Sequence, residues 1–331
     1  MNPIIIIGAG MTGLMAGKSL ASSDLPVIVL EKSRGVGGRL ATRRFEGGVF
    51  DHGVNDFTIR DERLREYIND WEKRQLLTVW FSTGSQSGES EKHYRGIPSM
   101  TAVPKDLAKT LRIERGTRVV SLRRIEDHWL VESDEDTYYR GSAVILTPPL
   151  PQAVQILEKA DISKKSEDMT LVREIHYEPA DMLLIHAPDA PPLPGTGCTS
   201  PNSDSILKVT DNAVKGITDT RGYFTVHCSQ EFSISGIHKS DEEVYRELSP
   251  IIEDVIGAGI TVYQIHRWRY SRPLNAPGIP YLEIGKGSNL FVAGDGLAGG
   301  SVQSAMISGL SVAEMIRSRI GGRTQSPRKE V

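Results

Sequence analysis

Ile4-Ile5-Ile6-Ile7-Gly8-Ala9-Gly10-Met11-Thr12-Gly13 is the stretch whose reading decides the fold. Four β-branched apolar residues in a row have the composition of a strand buried on both faces. A Gly-x-Gly-x-x-Gly run follows, and the spacing predicts a helix over 11–21. Val27-Ile28-Val29-Leu30 is a second buried strand, ending at Glu31. Strand, glycine turn, helix and strand make a βαβ unit. Gly8 permits the tight turn, Gly10 lets the backbone approach a pyrophosphate, and Gly13 lets the helix pack closely on the strand. The helix start at Met11 and Thr12 offers N–H groups and partial positive charge to phosphates. The Glu31 carboxylate suits ribose hydroxyls and disfavours a 2′-phosphate.

Moving outward, Glu31 runs directly into Lys32 and then Gly35-Val36-Gly37-Gly38-Arg39. Two glycines before Arg39 place a backbone turn and a fixed cation near a diphosphate, whose oxygens a guanidinium grips in pairs. Arg43 and Arg44 read as a solvated basic loop. Residues 60–74 predict a helix with Leu64, Tyr67, Ile68 and Trp71 on one face. The Ser/Gly-rich 82–90 stretch predicts a loop or hairpin tip. A helix over 100–111 precedes a meander of strands at 118–122, 129–133 and 137–139. A buried strand at 143–146 is stopped by Pro148 and Pro149. Residues 151–264 mix helices (154–159, 241–255) with strands (181–186, 222–228) and a Pro-rich loop at 188–194. A strand at 290–293, a helix at 301–319 and a polar tail at 321–331 complete the chain.

The 331 residues suit about two domains. A net charge of −3 gives no basic face for nucleic acid. Cys198 and Cys228 form no CxxC and no His/Cys cluster at metal spacing, so neither a disulfide framework nor a metal site is expected. The apolar run near Met1 lacks a basic n-region, and no stretch approaches the ~20 apolar residues of a membrane span. A soluble, cytoplasmic protein without a membrane partner is expected.

The run from Gly8 to Arg39 resembles the amine-oxidase-like FAD superfamily, whose pattern is Gly-x-Gly-x-x-Gly, a Glu, then Gly-Gly-Arg. Asp51-His52-Gly53-Val54-Asn55-Asp56-Phe57 resembles its Asp-x-Gly-x-x-aromatic segment, which lies beside the flavin there. Leu290-Phe291-Val292-Ala293-Gly294-Asp295-Gly296 resembles its second FAD motif. Gly96 to Met100, Trp268 to Pro273 and the overall spacing resemble renalase and its bacterial relatives. The chain departs from that group at Asn55 and Asp56, and in the loop from Ala298 to Gln303, positions that face the substrate side in the family.

The resemblance implies an α/β fold: a Rossmann-type FAD domain of parallel sheet plus β-meander, with a discontinuous α+β substrate domain. The expected limits are 1–56, 97–150 and 265–320 for the FAD domain, and 57–96 and 151–264 for the other, with the flavin between them. Contacts to a non-covalent FAD are expected from Gly8, Gly10, Met11, Thr12 and Gly13, and from Glu31, Lys32, Gly38 and Arg39. Gly53, Val54, Asn55 and Val119 join them, as do Asp295 and the helix start at Ser301 and Val302. His52 is expected to pack or hydrogen-bond rather than bind flavin covalently.

No general base is evident and no G-x-S-x-G occurs. Asn55, Tyr223, Trp268 and Tyr270, with Tyr94, are candidates for a wall of the substrate pocket, core packing being the alternative. His266, Arg267 and Arg269 suit an anionic substrate; Arg269 and Arg272 suit structural ion pairs equally. The expected chemistry is hydride transfer to flavin N5 followed by reoxidation by molecular oxygen. The renalase resemblance implies small-molecule donors that are isomers of reduced nicotinamide nucleotides. An amine oxidase, a desaturase or a non-catalytic FAD-bound scaffold are the rival readings.

Overall fold

All four residues of Ile4–Ile7 are buried, and the strand they form lies inside a six-stranded sheet. The computed structural model describes residues 2–84 and 90–324. Across the sheet the order is Tyr281–Glu283, Leu290–Ala293, Ala143–Leu146, Ile4–Ile7, Val27–Glu31 and Arg112–Arg115. Every pairing is parallel except that of Tyr281–Glu283 with Leu290–Ala293. The four interior strands read as apolar runs because the helices Met11–Ala21 and Val302–Thr324 and the strands His128–Ser133 and Tyr138–Gly141 pack on them. The edges do not: Arg112–Arg115 is charged and half-exposed, so nothing in its composition announces a strand.

The helix Met11–Ala21 follows the first strand, and the meander is a separate three-stranded sheet of Val119–Ile125, His128–Ser133 and Tyr138–Gly141. The helix expected over 100–111 is the shorter Ala102–Ala108. The last helix, Val302–Thr324, packs along Met11–Ala21. Residues 321–324 of the expected tail continue that helix, and 325–331 lie outside the described residues.

The described residues fall into two compact units, one from the segments 2–38, 104–176 and 273–324, the other from 39–84, 90–103 and 177–272. The limits differ from those read in the sequence. Residues 151–176 join the first unit because the helix Leu150–Glu158 packs on the strand Val119–Ile125. Residues 39–56 join the second because the hairpin Thr42–Phe45 and Gly48–Asp51 seats Phe50 against Leu184 and Tyr223.

The second unit is built on a five-stranded sheet ordered Cys198–Thr199, Ile206–Asp211, Tyr223–Cys228, Tyr177–His186 and Val262–Pro273. Phe224, Val226 and Cys228 face the helix Asp241–Ile256, through Val244, Leu248, Ile252 and Ile256. The alternating residues Tyr223, Thr225 and His227 are buried on the opposite face. A second hairpin pairs Leu77–Gly84 with Ser90–Gly96. Of the loop or hairpin tip expected at 82–90, residues 82–84 and 90 are the paired strand ends of this hairpin, and 85–89 lie outside the described residues. Among the described residues, no helix is long and apolar enough to cross a membrane.

Ser308 ties the last helix to the sheet. Its hydroxyl is fully buried, accepts from the Gly294 amide at 2.7 Å and donates to the Pro280 carbonyl at 2.5 Å. Ser308→Ala strands both groups, and each unsatisfied buried group costs about 1–3 kcal/mol. Urea unfolding of this variant should show a loss of at least about that size; an unchanged midpoint would show that the tie is replaceable.

Candidate functional site

The strands Leu290–Ala293, Ala143–Leu146, Ile4–Ile7 and Val27–Glu31 run parallel side by side, so their carboxyl ends share one edge of the sheet. At that edge lie Gly294-Asp295, Thr147, Gly8 and Glu31. Gly8 has φ 104°, and its amide donates to the Leu30 carbonyl at 2.8 Å. A Cβ at Gly8 would lie 2.7 Å from the Thr147 hydroxyl, and one at Gly13 only 2.1 Å from the Gly8 carbonyl oxygen. Packing within the chain therefore requires both glycines.

Gly10 is different. Its φ of −77° is open to any residue, and a Cβ there would meet nothing within 4 Å. The chain itself does not need a glycine at this position. A pyrophosphate approaching the backbone would, so the residues fit a dinucleotide. Gly10 is also the N-cap of Met11–Ala21, and no side chain caps that helix end. Met11 and Thr12 are buried in its first turn.

The second glycine run lies against the first. The Gly37 amide donates to the Ala9 carbonyl at 2.8 Å, and a Cβ on Gly38 would lie 3.4 Å from the Gly10 Cα. Glu31 is buried, and its carboxylate accepts from the Ala9 amide at 2.6 Å and the Ser33 amide at 2.8 Å. Its first task is thus to staple the turn, with lone pairs left over for a hydroxyl. Lys32 is exposed and donates to the Gln152 side chain at 2.9 Å. Val119 is buried at the start of its strand, opposite Ser133.

Asp295 is buried and opens a short helix, Asp295–Ala298. Its carbonyl accepts from the Gly299 and Gly300 amides, both at 2.9 Å. Ser301 and Ser304 cap each other: the Ser304 amide donates to the Ser301 hydroxyl at 3.0 Å, and the Ser301 amide to the Ser304 hydroxyl at 2.8 Å. Val302 follows as the first residue of the last helix.

The remaining candidates belong to the second unit. Arg39 donates to the Ser271 carbonyl at 2.7 Å, while its own carbonyl accepts from Val54 at 2.8 Å. The Trp268 indole donates to the His52 carbonyl at 2.6 Å. The rings of His52, His266 and Trp268 cluster with centroids 4.5–5.4 Å apart. Burial pushes the His52 imidazole down to about 4, with His266 and Arg43 adding to the effect. His266 is lowered for the same first reason.

Asn55 is buried, and both ends of its amide are held by the chain: Nδ2 donates to Thr210 at 3.0 Å and Oδ1 accepts from Lys215 at 3.1 Å. Tyr223, expected on the same wall, packs instead in the core beside Phe50 and Leu184, and its hydroxyl donates to the Glu46 carbonyl at 2.6 Å. Tyr270 meets Tyr177 edge-on at 5.9 Å, and Tyr94 pairs through its backbone with Phe57. Arg272 is in an ion pair with Glu178 at 2.6 Å, and Arg267 in one with Asp241 at 2.8 Å.

Sequence reasoning missed a buried polar strip on the sheet of this unit. Lys215 and Asp51, both fully shielded, pair at 2.9 Å. Lys208 and His93 both reach Asp56, each at 2.8 Å. Burial pushes the Lys215 ammonium below the ordinary lysine value, against the pull of Asp51. Burial, then Lys208 and Lys215, push His227 down to about 3. These pairs join residues far apart in the chain, and no local pattern marks them.

Family models match most of the chain. That for an NAD(P)-binding Rossmann-like domain matches residues 6–71, and that for flavin containing amine oxidoreductase matches residues 70–317. The uncharacterized oxidoreductase CzcO of Bacillus subtilis (strain 168) is 26% identical over 160 residues, which cover 45% of this chain and 37% of that protein. A 4,4′-diapophytoene desaturase of Staphylococcus aureus (strain MRSA252) is 33% identical over 88 residues, 24% of this chain and 18% of its own. The chain thus spans well under half the length of these relatives. Among solved structures, a protein from Exiguobacterium sp. 255-15 described as a protoporphyrinogen oxidase matches with a TM-score of 0.75 at 13% identity, covering 96% of this chain and 99% of the other. A putrescine oxidase triple mutant matches with a TM-score of 0.70 at 14% identity over the same shares. At such identities the structures bear on the fold alone.

The two kinds of glycine should separate experimentally. Gly13→Ala should cost about 1–3 kcal/mol of stability in the flavin-free protein through overpacking. Gly10→Ala should leave that stability unchanged and weaken FAD binding roughly tenfold or more, the size of a lost charge-assisted hydrogen bond. Thermal unfolding and flavin titration of both variants check this; equal effects on stability would refute it. Acid supplies a second test. His52 and His227 lie near 4 and 3 in the native protein against 6.5 ordinarily. Below pH 6.5 the unfolded chain takes up protons that the native state refuses, so stability falls as pH drops toward 4. Denaturant unfolding at neutral pH and at about pH 5 should show this loss, and it should be smaller in His227→Gln.

Proposed function

Because the chain belongs to the flavin containing amine oxidoreductase family and is an FAD-dependent oxidoreductase, we propose that it is an oxidase of a small reduced donor, with molecular oxygen as the acceptor. The observation that carries this reading is the open backbone at Gly10, set among the converging strand ends. Bound FAD supplies a two-electron acceptor at N5 and its own reoxidation by oxygen.

The chain's part is to hold and orient. Gly10 admits the pyrophosphate, and the amides of Met11 and Thr12 face it at the positive end of their helix. The spare lone pairs of Glu31 take ribose hydroxyls, and Arg39 takes phosphate oxygens. Asp295 contacts the ribityl side. Gly38, Gly53, Val54 and Val119 lend backbone or apolar surface to the cofactor, and the start of the last helix at Ser301 and Val302 lends partial positive charge. FAD is held without a covalent bond. Cys228 is packed in the core with its thiol pushed up by burial, which leaves it a poor nucleophile. Free Cys198 and Cys228 suit a reducing, cytoplasmic compartment.

For the donor, we favour a dihydropyridine, as in isomers of reduced nicotinamide nucleotides. His52, His227 and His266 are held below the ordinary histidine value, which makes them weak proton acceptors near neutral pH. Hydride loss from a dihydropyridine gives an aromatic pyridinium directly, with no proton to remove. An amine is the second reading, favoured by the family match over residues 70–317.

The purified protein should be yellow, and acid precipitation should release all of its flavin; flavin left in the pellet would overturn the non-covalent assignment. Anaerobic mixing with dihydronicotinamide isomers should bleach the flavin within seconds, and air should restore it. Bleaching by polyamines alone would move the assignment to the amine reading. A flavin inert to every donor would leave a scaffold.

A further inference from the structure

We propose that Lys215 is a positioning residue whose ammonium ties Asp51 to Asn55 and so sets the conformation of residues 52–54. This rests on the reading that puts the same segment beside the flavin.

The turn that carries Lys215 is held rigidly. It follows the strand Ile206–Asp211, and the Asp211 carboxylate accepts from the amides of Ala213 at 2.9 Å, Val214 at 3.1 Å and Leu193 at 3.2 Å. The Lys215 amide donates to the Asp211 carbonyl at 2.9 Å. Asn212 fastens the turn to the neighbouring strand, through the Tyr223 carbonyl at 2.9 Å and the Thr225 hydroxyl at 3.0 Å. The Lys215 side chain therefore has one direction to go, into the polar strip.

There its ammonium meets Asp51 Oδ2 at 2.9 Å, the Asn55 carbonyl at 2.7 Å and Asn55 Oδ1 at 3.1 Å. Three donors meet three acceptors. The Trp80 ring lies 5.1 Å from the same nitrogen. Asp51 cannot swing with its partner, because its other oxygen accepts from the Thr42 hydroxyl at 2.7 Å and the Met100 amide at 3.0 Å. The ammonium thus grips both ends of a five-residue loop.

The middle of that loop is pinned from elsewhere in the unit. Trp268 holds the His52 carbonyl at 2.6 Å, and the Arg39 carbonyl holds the Val54 amide at 2.8 Å. At Gly53 a Cβ would lie 2.0 Å from the Arg39 carbonyl oxygen. A buried ion pair is a poor way to gain stability, since apolar residues of similar volume often do as well or better. Its best-attested use is to fix one arrangement among several. The arrangement fixed here is that of residues 51–55.

The test uses the FAD-loaded protein, with Lys215→Met and the double variant Asp51→Asn/Lys215→Met. The double variant removes both charges and keeps an acceptor for Thr42 and Met100. Hydrogen exchange of the 51–56 amides, FAD affinity and the visible flavin spectrum are read together. The expected result is faster exchange confined to 51–56, FAD binding weakened at least about tenfold, as for one lost charge-assisted hydrogen bond, and shifted flavin bands. Unchanged exchange would overturn the clamp. Faster exchange with wild-type affinity and spectrum would instead overturn the placement of this segment beside the flavin. If neither variant folds, Lys215 is a structural residue and the proposal fails.

Discussion

The Glu31 carboxylate, shared between the amides of Ala9 and Ser33, is the interaction on which the candidate dinucleotide end depends. A tight turn between a buried strand and a helix leaves backbone groups facing inward, and each would cost about 1–3 kcal/mol if unsatisfied. Ala9 has both of its groups met, the N–H by Glu31 and the carbonyl by the Gly37 amide. With Ala9 held, the Gly10 carbonyl is free to start the helix by accepting from Leu14 at 3.0 Å. Thr147 completes the set, its amide donating to the Ile7 carbonyl at 2.9 Å and its hydroxyl lying within reach of the Ile7 and Gly8 carbonyls. One carboxylate and one hydroxyl thus hold the ends of three neighbouring strands.

The two units solve the problem of precision differently. The first uses backbone groups and glycines, with the single buried carboxylate of Glu31 answered by backbone amides. The second uses charges inside a sheet face, where Lys215 and Lys208 lie among Asp51, Asp56 and His93. Cations in such surroundings suppress protonation nearby, and His227 is driven down by both lysines as well as by burial. His227 is thereby kept neutral near pH 7.

The strands Ile4–Ile7, Val27–Glu31, Ala143–Leu146 and Leu290–Ala293 were legible because burial on both faces leaves an apolar run with few alternatives. The helix Asp241–Ile256 was read at 241–255, and a capping box of Ser240 and Glu243 fixes its start. The edge strand Arg112–Arg115 was not, since half-exposed residues carry no such constraint. The strand Val262–Pro273 was seen only as a motif near its end, because its residues are mostly half-buried and lack alternation. At the candidate site the glycines and Glu31 could be read, because a motif ties each to a local turn. The pairing of Lys215 with Asp51 could not, because 164 positions separate them.

The contrast among the three glycines shows what a motif does and does not say about function. A Gly-x-Gly-x-x-Gly run at a strand-to-helix turn has two possible explanations, the needs of the chain and the needs of a ligand. Gly8, with its left-handed φ and the Thr147 hydroxyl against it, is explained by the chain. Gly13, pressed on the Gly8 carbonyl, is explained by the chain as well. A protein that had lost its cofactor would still need both. Only Gly10 has neither a strained backbone nor a crowded Cβ position, so only there does the choice of glycine point outside the chain. The cofactor reading of the first motif therefore rests on one residue of the three, and the other two carry the fold that presents it.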